Sequence, residues 1–262
     1  MKELSVIDSK KVCLSLTTKC NQKCVNCYDF PAQDNLPYEK NIRVLENLKL
    51  LGITKIIWSG GECLMVDKIL NLLNHSKKLG MDNRLVTNGR LLTQEVINEL
   101  CNLVSRINIS VDSLDPRINL ALGKYLPHEK LGDYEKMILD KLSMAKKSNL
   151  EVGAYTTVFK QNIDKIQEVG NMVNNLKVDE WHLQPFCSIR GQAAKKRHTS
   201  NVSKKKFCAL FDNMKKQFPS LNITKQENIP HGYYVVSPSG KLILTQNNTE
   251  IELHDLTKPL SK

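Results

Sequence analysis

The sequence contains no long apolar run and few aromatic residues. Of its 262 residues, 41% are hydrophobic and 6% are Phe, Trp or Tyr. No stretch approaches the roughly 18 consecutive apolar residues that a membrane-spanning helix requires. The first residues, Met-Lys-Glu-Leu-Ser, do not lead into the apolar segment and small-residue cleavage site of an export signal. We therefore expect no membrane span and a cytoplasmic protein.

A disulfide framework is also lacking, although the chain contains eight cysteines. Such frameworks belong to short secreted chains, whereas this chain is long and its cysteines are unevenly spaced. We expect free thiols or metal ligands instead.

Acidic residues are the minority among the charged ones, with 27 Asp and Glu against 38 Lys and Arg, a formal net charge of +11. Basic residues cluster at 195–198 and again at 204–206. Such runs are most often a solvated surface. An anionic substrate or partner is the open alternative.

Short apolar runs recur along the chain, and a segment of helical periodicity follows most of them. The predicted strands are residues 12–17, 55–58, 84–87, 106–111, 151–159 and 180–185. The predicted helices are residues 38–51, 67–79, 93–104, 133–148 and 162–176. Parallel neighbours need a helix to return the chain, so this alternation favours a parallel sheet.

Six strand units are too few for an eight-stranded barrel, so we predict an α/β fold with a partial (β/α)6 barrel. After residue 191 the pattern changes to a basic loop, a helix near 203–218, and a hairpin around Ser-Pro-Ser-Gly. The domain prediction is a core over 1–190 and a small C-terminal α/β extension over 191–262 that closes the open side of the barrel.

Three cysteines, Cys20, Cys24 and Cys27, lie within eight residues directly after the first predicted strand. Loops at the carboxyl ends of parallel strands are where barrel active sites are built. A structural zinc ion requires four protein ligands, and no fourth ligand is near in the sequence. Three thiolates instead suit a [4Fe–4S] cluster that leaves one iron free for a small chelating ligand.

This cysteine spacing resembles the signature of the radical S-adenosylmethionine superfamily, and the resemblance extends over most of the chain. It implies the partial barrel predicted above, one [4Fe–4S] cluster and S-adenosylmethionine as cofactors. In that family the free iron chelates the amino and carboxylate groups of S-adenosylmethionine. One electron then splits the C–S bond, which yields methionine and a 5′-deoxyadenosyl radical that abstracts hydrogen from the substrate.

The resemblance also implies roles for residues at the next two strand ends. Gly60, Gly61 and Glu62 match the family's Gly-Gly-Glu motif, which holds the S-adenosylmethionine amino group; taken alone, this tripeptide is more often a plain turn. Thr87 and Asn88, followed by glycine, match a Thr-Asn-Gly that the family often has at this place. A simple turn explains them equally well.

Four further residues are predicted to bind the cofactor. Ser110 and Asp112 share one face at the end of the fourth strand, and the family has polar groups there that accept from ribose hydroxyls. Helix or turn capping by Asp112 is the alternative. Tyr28 occupies a position that is commonly aromatic in the family, beside the adenine. Arg190 is suited to pairing with a carboxylate of cofactor or substrate, or is a surface arginine.

The second half of the chain most resembles the viperin and molybdopterin-precursor-cyclase branch. The basic residues with which viperins grip a nucleoside triphosphate have no clear counterpart, and their places hold Thr156, Thr157, Glu180 and His182. The cysteines outside the motif show no mutual spacing, so we expect no auxiliary cluster.

The leading hypothesis is a single-cluster radical enzyme that acts on a small molecule, such as a nucleotide, or on a peptide. A low-potential electron donor of the flavodoxin or ferredoxin type is the expected partner. Tyr155 and Cys187 are candidate hydrogen-atom donors by their chemistry. One alternative is a zinc-stabilised nucleic-acid-binding protein that uses the basic residues 195–206, and another is a superfamily fold that has lost catalysis.

Overall fold

A computed structural model describes residues 9–225, 232–246 and 249–260. Ten strands form one sheet: β1 (Lys11–Ser15), β2 (Lys55–Ser59), β3 (Asp82–Thr87), β4 (Arg106–Ser110), β5 (Glu151–Val158), β6 (Glu180–Pro185), β7 (Ile223–Lys225), β8 (Tyr233–Val236), β9 (Lys241–Gln246) and β10 (Thr249–Asp255). The helices are α1 (Tyr38–Leu50), α2 (Ile69–Lys78), α3 (Gln94–Leu100), α4 (Pro116–Ala121), α5 (Asp133–Lys146), α6 (Ile166–Asn175), α7 (Gly191–Lys195), α8 (Arg197–Ser200) and α9 (Lys204–Gln217).

Strands β1 to β6 pair in sequence order, and every pair is parallel. The six predicted strands are each present, with ends within two residues of the prediction. The partial barrel is therefore confirmed as an open parallel sheet whose helices return the chain between strands. The carboxyl ends of all six strands consequently lie at one edge, where the predicted site residues follow them.

Residues after 191 add strands to both sides of this sheet, whose order is β10-β9-β8-β1-β2-β3-β4-β5-β6-β7. The predicted hairpin is β8 and β9, which pair antiparallel. Within the described residues β10 and β7 are the two outer strands, so the extension widens the sheet and backbone pairing does not close it. The boundary between residues 190 and 191 stays a prediction.

The two faces of the sheet differ in polarity. Alternate strand residues such as Val12, Leu85 and Trp181 are fully buried against the helices and form the core. The opposite, inner face carries polar side chains, including Arg106, Tyr155 and His182. An apolar outer layer fixes the helices, and the polar inner face is left for a ligand.

Helix α1 anchors the end of the described chain. The Asn47 side-chain amide donates to the carbonyl oxygens of Leu256 and Lys258 at 2.9 and 2.8 Å. Asn47 is buried, so these bonds satisfy an amide that would otherwise be costly to bury.

Candidate functional site

The three motif cysteines lie on the loop between β1 and α1, which we call the cysteine loop (residues 16–37). Its turn is stabilised by a hydrogen bond from the Cys27 N–H to the Cys24 carbonyl at 3.2 Å. Burial, with a smaller contribution from the charges of Cys24, Glu62 and Cys27, raises the pKa of Cys20 to about 11. All three thiols therefore lie on the loop that follows the carboxyl end of β1, and their role as cluster ligands stays a prediction.

The glycines after β2 are required by their approach to the cysteine loop. The Gly61 N–H donates to the Thr17 carbonyl at 2.7 Å, and the Glu62 N–H to the Lys19 carbonyl at 2.8 Å. A Cβ atom on Gly61 would lie 2.3 Å from the Lys19 carbonyl oxygen, which no side chain tolerates. Gly60 has φ +129°, a conformation that favours glycine, and its Cβ would lie 2.5 Å from the Thr17 carbonyl oxygen.

The buried Glu62 carboxylate joins the ends of β2 and β3. It accepts hydrogen bonds from the Thr87 hydroxyl and from the Asn88 backbone N–H, both at 2.8 Å. Burial raises its pKa, and these hydrogen bonds counteract part of that rise. The side chain of Glu62 thus positions Thr87 and Asn88, and the predicted contact of this motif with an ammonium group stays a prediction.

Asn88 carries the connection back to the cysteines. Its side-chain amide donates to Asn21 Oδ1 at 2.7 Å and lies 3.7 Å from Cys20 Sγ. The Thr87 hydroxyl is buried and accepts from the Gly89 N–H at 3.1 Å. Thr87 is therefore a positioning residue here, whereas Asn88 lies directly against a thiol.

A buried ion pair connects the end of β4 with the cysteine loop. Lys124 Nζ lies 2.7 Å from Asp112 Oδ2, and Asp112 Oδ1 accepts from the Thr157 N–H at 2.9 Å. Burial disfavours the ammonium, but Asp112 and Cys24 together raise the pKa of Lys124 well above its usual value. The Lys124 carbonyl also accepts from the Gln22 side-chain amide at 3.2 Å.

Lys124 is a functional candidate that the sequence reading missed. It follows Gly123, whose missing side chain allows the chain to approach the Lys23 carbonyl: a Cβ there would lie 2.4 Å from it. The only sequence signal was a lysine directly after that glycine. Both oxygens of Asp112 have protein partners, and its predicted contact with a ribose stays a prediction.

Ser110 lies beside a polar cluster on the inner face of the sheet. Its partner in register on β5 is Tyr155, whose ring centroid is 4.6 Å from that of His182 on β6. His182 Nδ1 is 2.9 Å from the Thr224 hydroxyl oxygen, and burial lowers the pKa of His182 to about 4. This cluster is therefore neutral at physiological pH and suited to stacking and hydrogen bonding.

Arg190 binds the far end of the cysteine loop and is not a surface residue. Its Nη2 donates to the Tyr28 hydroxyl at 2.6 Å, and its guanidinium carbon lies 4.4 and 3.9 Å from the Tyr28 and Phe30 ring centroids. Its Nη1 lies 2.8 Å from Glu250 Oε1 on β10. Burial lowers the pKa of Arg190, although Glu250 opposes that change. Arg190 is therefore paired with Glu250, a residue of the extension, and not with the predicted carboxylate of a cofactor or substrate.

Three thiols on one loop are a soft donor set, which suits an iron–sulfur cluster. Within the described parts of the chain, no three His, Cys, Asp or Glu side chains are close enough to surround one metal ion. Cys20, Cys24 and Cys27 would hold such a cluster, and the chemistry that it would supply is one-electron transfer.

Residues 14–173 match the family model described as Radical SAM superfamily. This chain belongs to the radical SAM superfamily. The match covers β1 to α6 and includes the cysteine loop, the Gly60–Glu62 turn and the ends of β3 and β4. Members of the superfamily use a [4Fe–4S] cluster and S-adenosylmethionine.

Similar curated proteins carry several functions. An S-adenosylmethionine-dependent nucleotide dehydratase from Lacinutrix mariniflava is 24% identical over 92% of this chain and 51% of its own length. A protein with the same name from Flammeovirga pacifica is 23% identical, covering 87% of this chain and 80% of its own. A GTP 3′,8-cyclase from Clostridium perfringens is 28% identical over 63% of this chain and 52% of its own. The chain thus spans about half of two of these relatives.

Solved structures confirm the fold. Streptococcus suis SuiB bound to S-adenosylmethionine has a TM-score of 0.73 at 15% identity, and the match covers 95% of this chain and 64% of SuiB. The protein anSMEcpe with bound AdoMet and the Cp18Cys peptide has a TM-score of 0.71 at 14% identity, covering 95% and 78%. In the described residues, no helix combines the length and apolarity needed to cross a membrane.

Proposed function

We propose that this chain cleaves S-adenosylmethionine reductively and that Cys20, Cys24 and Cys27 are the protein ligands of its single [4Fe–4S] cluster. One observation carries the proposal: the Glu62 carboxylate ties the ends of β2 and β3 together, and Asn88 then extends from that junction to Cys20 Sγ. Three strand-end motifs meet at one group of thiols. If each motif were only a local turn, these three motifs would not be expected to contact one another.

When bound, the cluster supplies the electron that splits S-adenosylmethionine into methionine and the 5′-deoxyadenosyl radical. The chain's own residues bind and orient the cofactor. The backbone of Gly60 and Gly61 is suited to an ammonium group, and the Lys124 ammonium to a carboxylate. We propose that Ser110 and Asp112 bind the ribose hydroxyls and that Tyr28 lies beside the adenine.

A nucleotide is the substrate class we favour. The relatives that cover most of this chain are named nucleotide dehydratases, and the Tyr155–His182 cluster offers a neutral surface for stacking and hydrogen bonding. Arg106, a large cation of the inner face, is already paired with Glu151 and Glu180. We therefore propose recognition of the base and sugar on this face, without a triphosphate grip at β5 and β6.

A peptide is the second candidate, because SuiB is solved with its precursor peptide SuiA and anSMEcpe with the Cp18Cys peptide. Incubation of the reconstituted enzyme with a panel of nucleotides and of cysteine- or serine-containing peptides separates the two classes. Substrate-dependent stimulation of 5′-deoxyadenosine formation by a nucleotide supports our choice. Stimulation by peptides alone assigns the second class.

The core of the proposal is tested with Cys24→Ala and a matched control, Cys101→Ala. Cys101 is also a free, half-buried cysteine, but it lies at the end of α3, outside the motif. After anaerobic reconstitution and reduction with dithionite, we expect Cys24→Ala to lose iron, sulfide and 5′-deoxyadenosine formation, and Cys101→Ala to retain all three. Unchanged 5′-deoxyadenosine from Cys24→Ala contradicts the proposal. Colourless wild-type protein with stoichiometric zinc supports the nucleic-acid-binding alternative instead.

A further inference from the structure

Two stretches of the chain carry basic residues and no acidic ones. Residues 181–211 contain seven Lys and Arg and no Asp or Glu. Residues 9–28, which include the three motif cysteines, contain four lysines and again no acid. Charge of one sign over such stretches attracts an oppositely charged partner.

The fold packs residues 191–200 against the cysteine loop. The Ala193 N–H donates to the Cys27 carbonyl at 2.8 Å, and the Ser200 hydroxyl donates to Asn26 Oδ1 at 3.3 Å. Gly191 sits so close that a Cβ atom would lie 2.8 Å from the same Cys27 oxygen. Helices α7 and α8 therefore cover the backbone of the third proposed cluster ligand.

The outer side of this junction is exposed and positively charged. Lys23, Lys195, Lys196 and Arg197 are all exposed, and we call them the basic surface. Within residues 9–225, 232–246 and 249–260, no ion pair involves any of them. Val25, between two of the cysteines, is 36% exposed and adds an apolar contact point.

We propose that the basic surface docks an acidic redox protein that donates one electron to the cluster. This inference rests on the proposed function. In the transfer the donor loses one electron, the cluster gains it, and no atom moves. Unpaired cations beside the cysteine loop favour an acidic partner electrostatically, and an exposed Val25 among them supplies the apolar centre that such interfaces use.

A nucleic acid is the competing polyanion, and the residues favour it less. Residues 190–206 contain no Phe, Tyr or Trp on which a base can stack. The position of the basic surface directly over a proposed cluster ligand is instead what a short electron path requires. Binding of nucleic acid is therefore one of the outcomes that the experiment separates.

The test compares Lys195→Glu/Lys196→Glu/Arg197→Glu with a matched control, Lys49→Glu/Lys78→Glu/Lys147→Glu. The control makes the same charge change at exposed residues in the last turns or carboxyl caps of α1, α2 and α5. Those helix ends precede strands β2, β3 and β5 and so lie at the opposite edge of the sheet. Affinities for purified oxidised flavodoxin, for ferredoxin and for a single-stranded oligonucleotide are measured at low ionic strength. Formation of 5′-deoxyadenosine is measured with reduced flavodoxin and with dithionite.

We expect the basic-surface variant to bind flavodoxin about tenfold more weakly than wild type and to lose a similar factor in flavodoxin-driven turnover. Its dithionite-driven turnover and its iron content should match wild type, and the control should change flavodoxin affinity by no more than about twofold. Equal flavodoxin affinity of variant and wild type overturns the inference. The inference is also overturned if the basic-surface variant loses affinity only for a single-stranded oligonucleotide, or if its dithionite-driven turnover falls as much as its flavodoxin-driven turnover. A wild-type protein that binds neither flavodoxin nor ferredoxin overturns it as well.

The two proposals fail in distinguishable ways. Wild-type protein that makes no 5′-deoxyadenosine even with dithionite contradicts the proposed function. The affinity measurement still decides whether the basic surface binds the acidic protein, because it requires no turnover.

Discussion

Lys124 and Asp112 form an ion pair at 2.7 Å in which both side chains are about 10% exposed. Breaking such a buried pair on one side leaves an uncompensated charge, which costs about 3–5 kcal/mol. We therefore expect Lys124→Met to lower the free energy of unfolding by more than the double variant Lys124→Met/Asp112→Asn does. Anaerobic urea unfolding measures both. A single variant as stable as wild type contradicts the buried pair.

The same substitution should weaken cofactor binding. Lys124→Met removes a cation beside Cys24, so we expect affinity for S-adenosylmethionine to fall about tenfold in calorimetric titration of the reconstituted protein. Lys147→Met, at an exposed lysine following α5, is the matched control and should bind as wild type does. If Lys124→Met binds S-adenosylmethionine as tightly as wild type does, Lys124 has a structural role and does not contribute to cofactor binding.

Gly61→Ala should displace the cysteine loop. The added Cβ would lie 2.3 Å from the Lys19 carbonyl oxygen, which belongs to the backbone and has little freedom to move. We expect iron content after reconstitution to fall at least about twofold, because ligands held out of position bind metal poorly. Gly132→Asn is the control, since that site has φ +100° and nothing within 4 Å of a Cβ. Full iron loading of Gly61→Ala would show that the loop adapts.

Arg190 and Glu250 link the cysteine loop to β10, and a double-mutant cycle with Arg190→Gln and Glu250→Gln measures that link. We expect a coupling energy of about 1 kcal/mol in unfolding, because the pair is partly buried and the guanidinium is held between two rings. The exposed pair Lys165–Glu168 serves as the reference and should show less than about 0.5 kcal/mol. Equal coupling in both pairs contradicts the packed arrangement.

The lowered pKa of His182 predicts that the stability of the protein depends on pH. Burial lowers its folded pKa to about 4, below the usual 6.5, so the unfolded chain binds the proton more tightly. Stability is therefore lost as pH falls from about 6.5 toward 4, by about 1–2 kcal/mol for this group at pH 5. Urea unfolding at pH 7 and pH 5 should show a smaller loss for His182→Gln than for wild type. An identical loss in both proteins excludes His182 as the source.

The sequence predicted the central strands and the site motifs because both are local patterns. Strands β1 to β6 are apolar runs, and Cys20, Glu62 and Asn88 lie directly after such runs. β7 was missed because it has three residues, and β10 because its first four residues are exposed and polar on one face. The short α4 was also missed, although Asp115 caps it by accepting from the Arg117 N–H at 2.8 Å.

The partners of the site residues could not be predicted in the same way. The chemistry of Arg190 suits a carboxylate of a ligand, but its partner in the structure is Glu250. Only the tertiary fold brings these two residues together. The Gly-Gly-Glu motif predicts that Glu62 helps to hold the S-adenosylmethionine amino group, but it does not predict that the Glu62 carboxylate accepts hydrogen bonds from Thr87 and Asn88 at the end of the next strand. Lys124 carried no pattern, since its importance depends on Asp112 and on Gly123 approaching the cysteine loop.

The hydrogen bond between Ala193 and Cys27 has a consequence for biogenesis. The third proposed ligand is held by an amide that leaves the ribosome only after most of the parallel sheet has been made. A nascent chain shorter than this lacks the cover over its thiols, which stay open to oxidation and to adventitious metals. We therefore expect cluster insertion late in maturation, after residues 191–200 have packed against the loop.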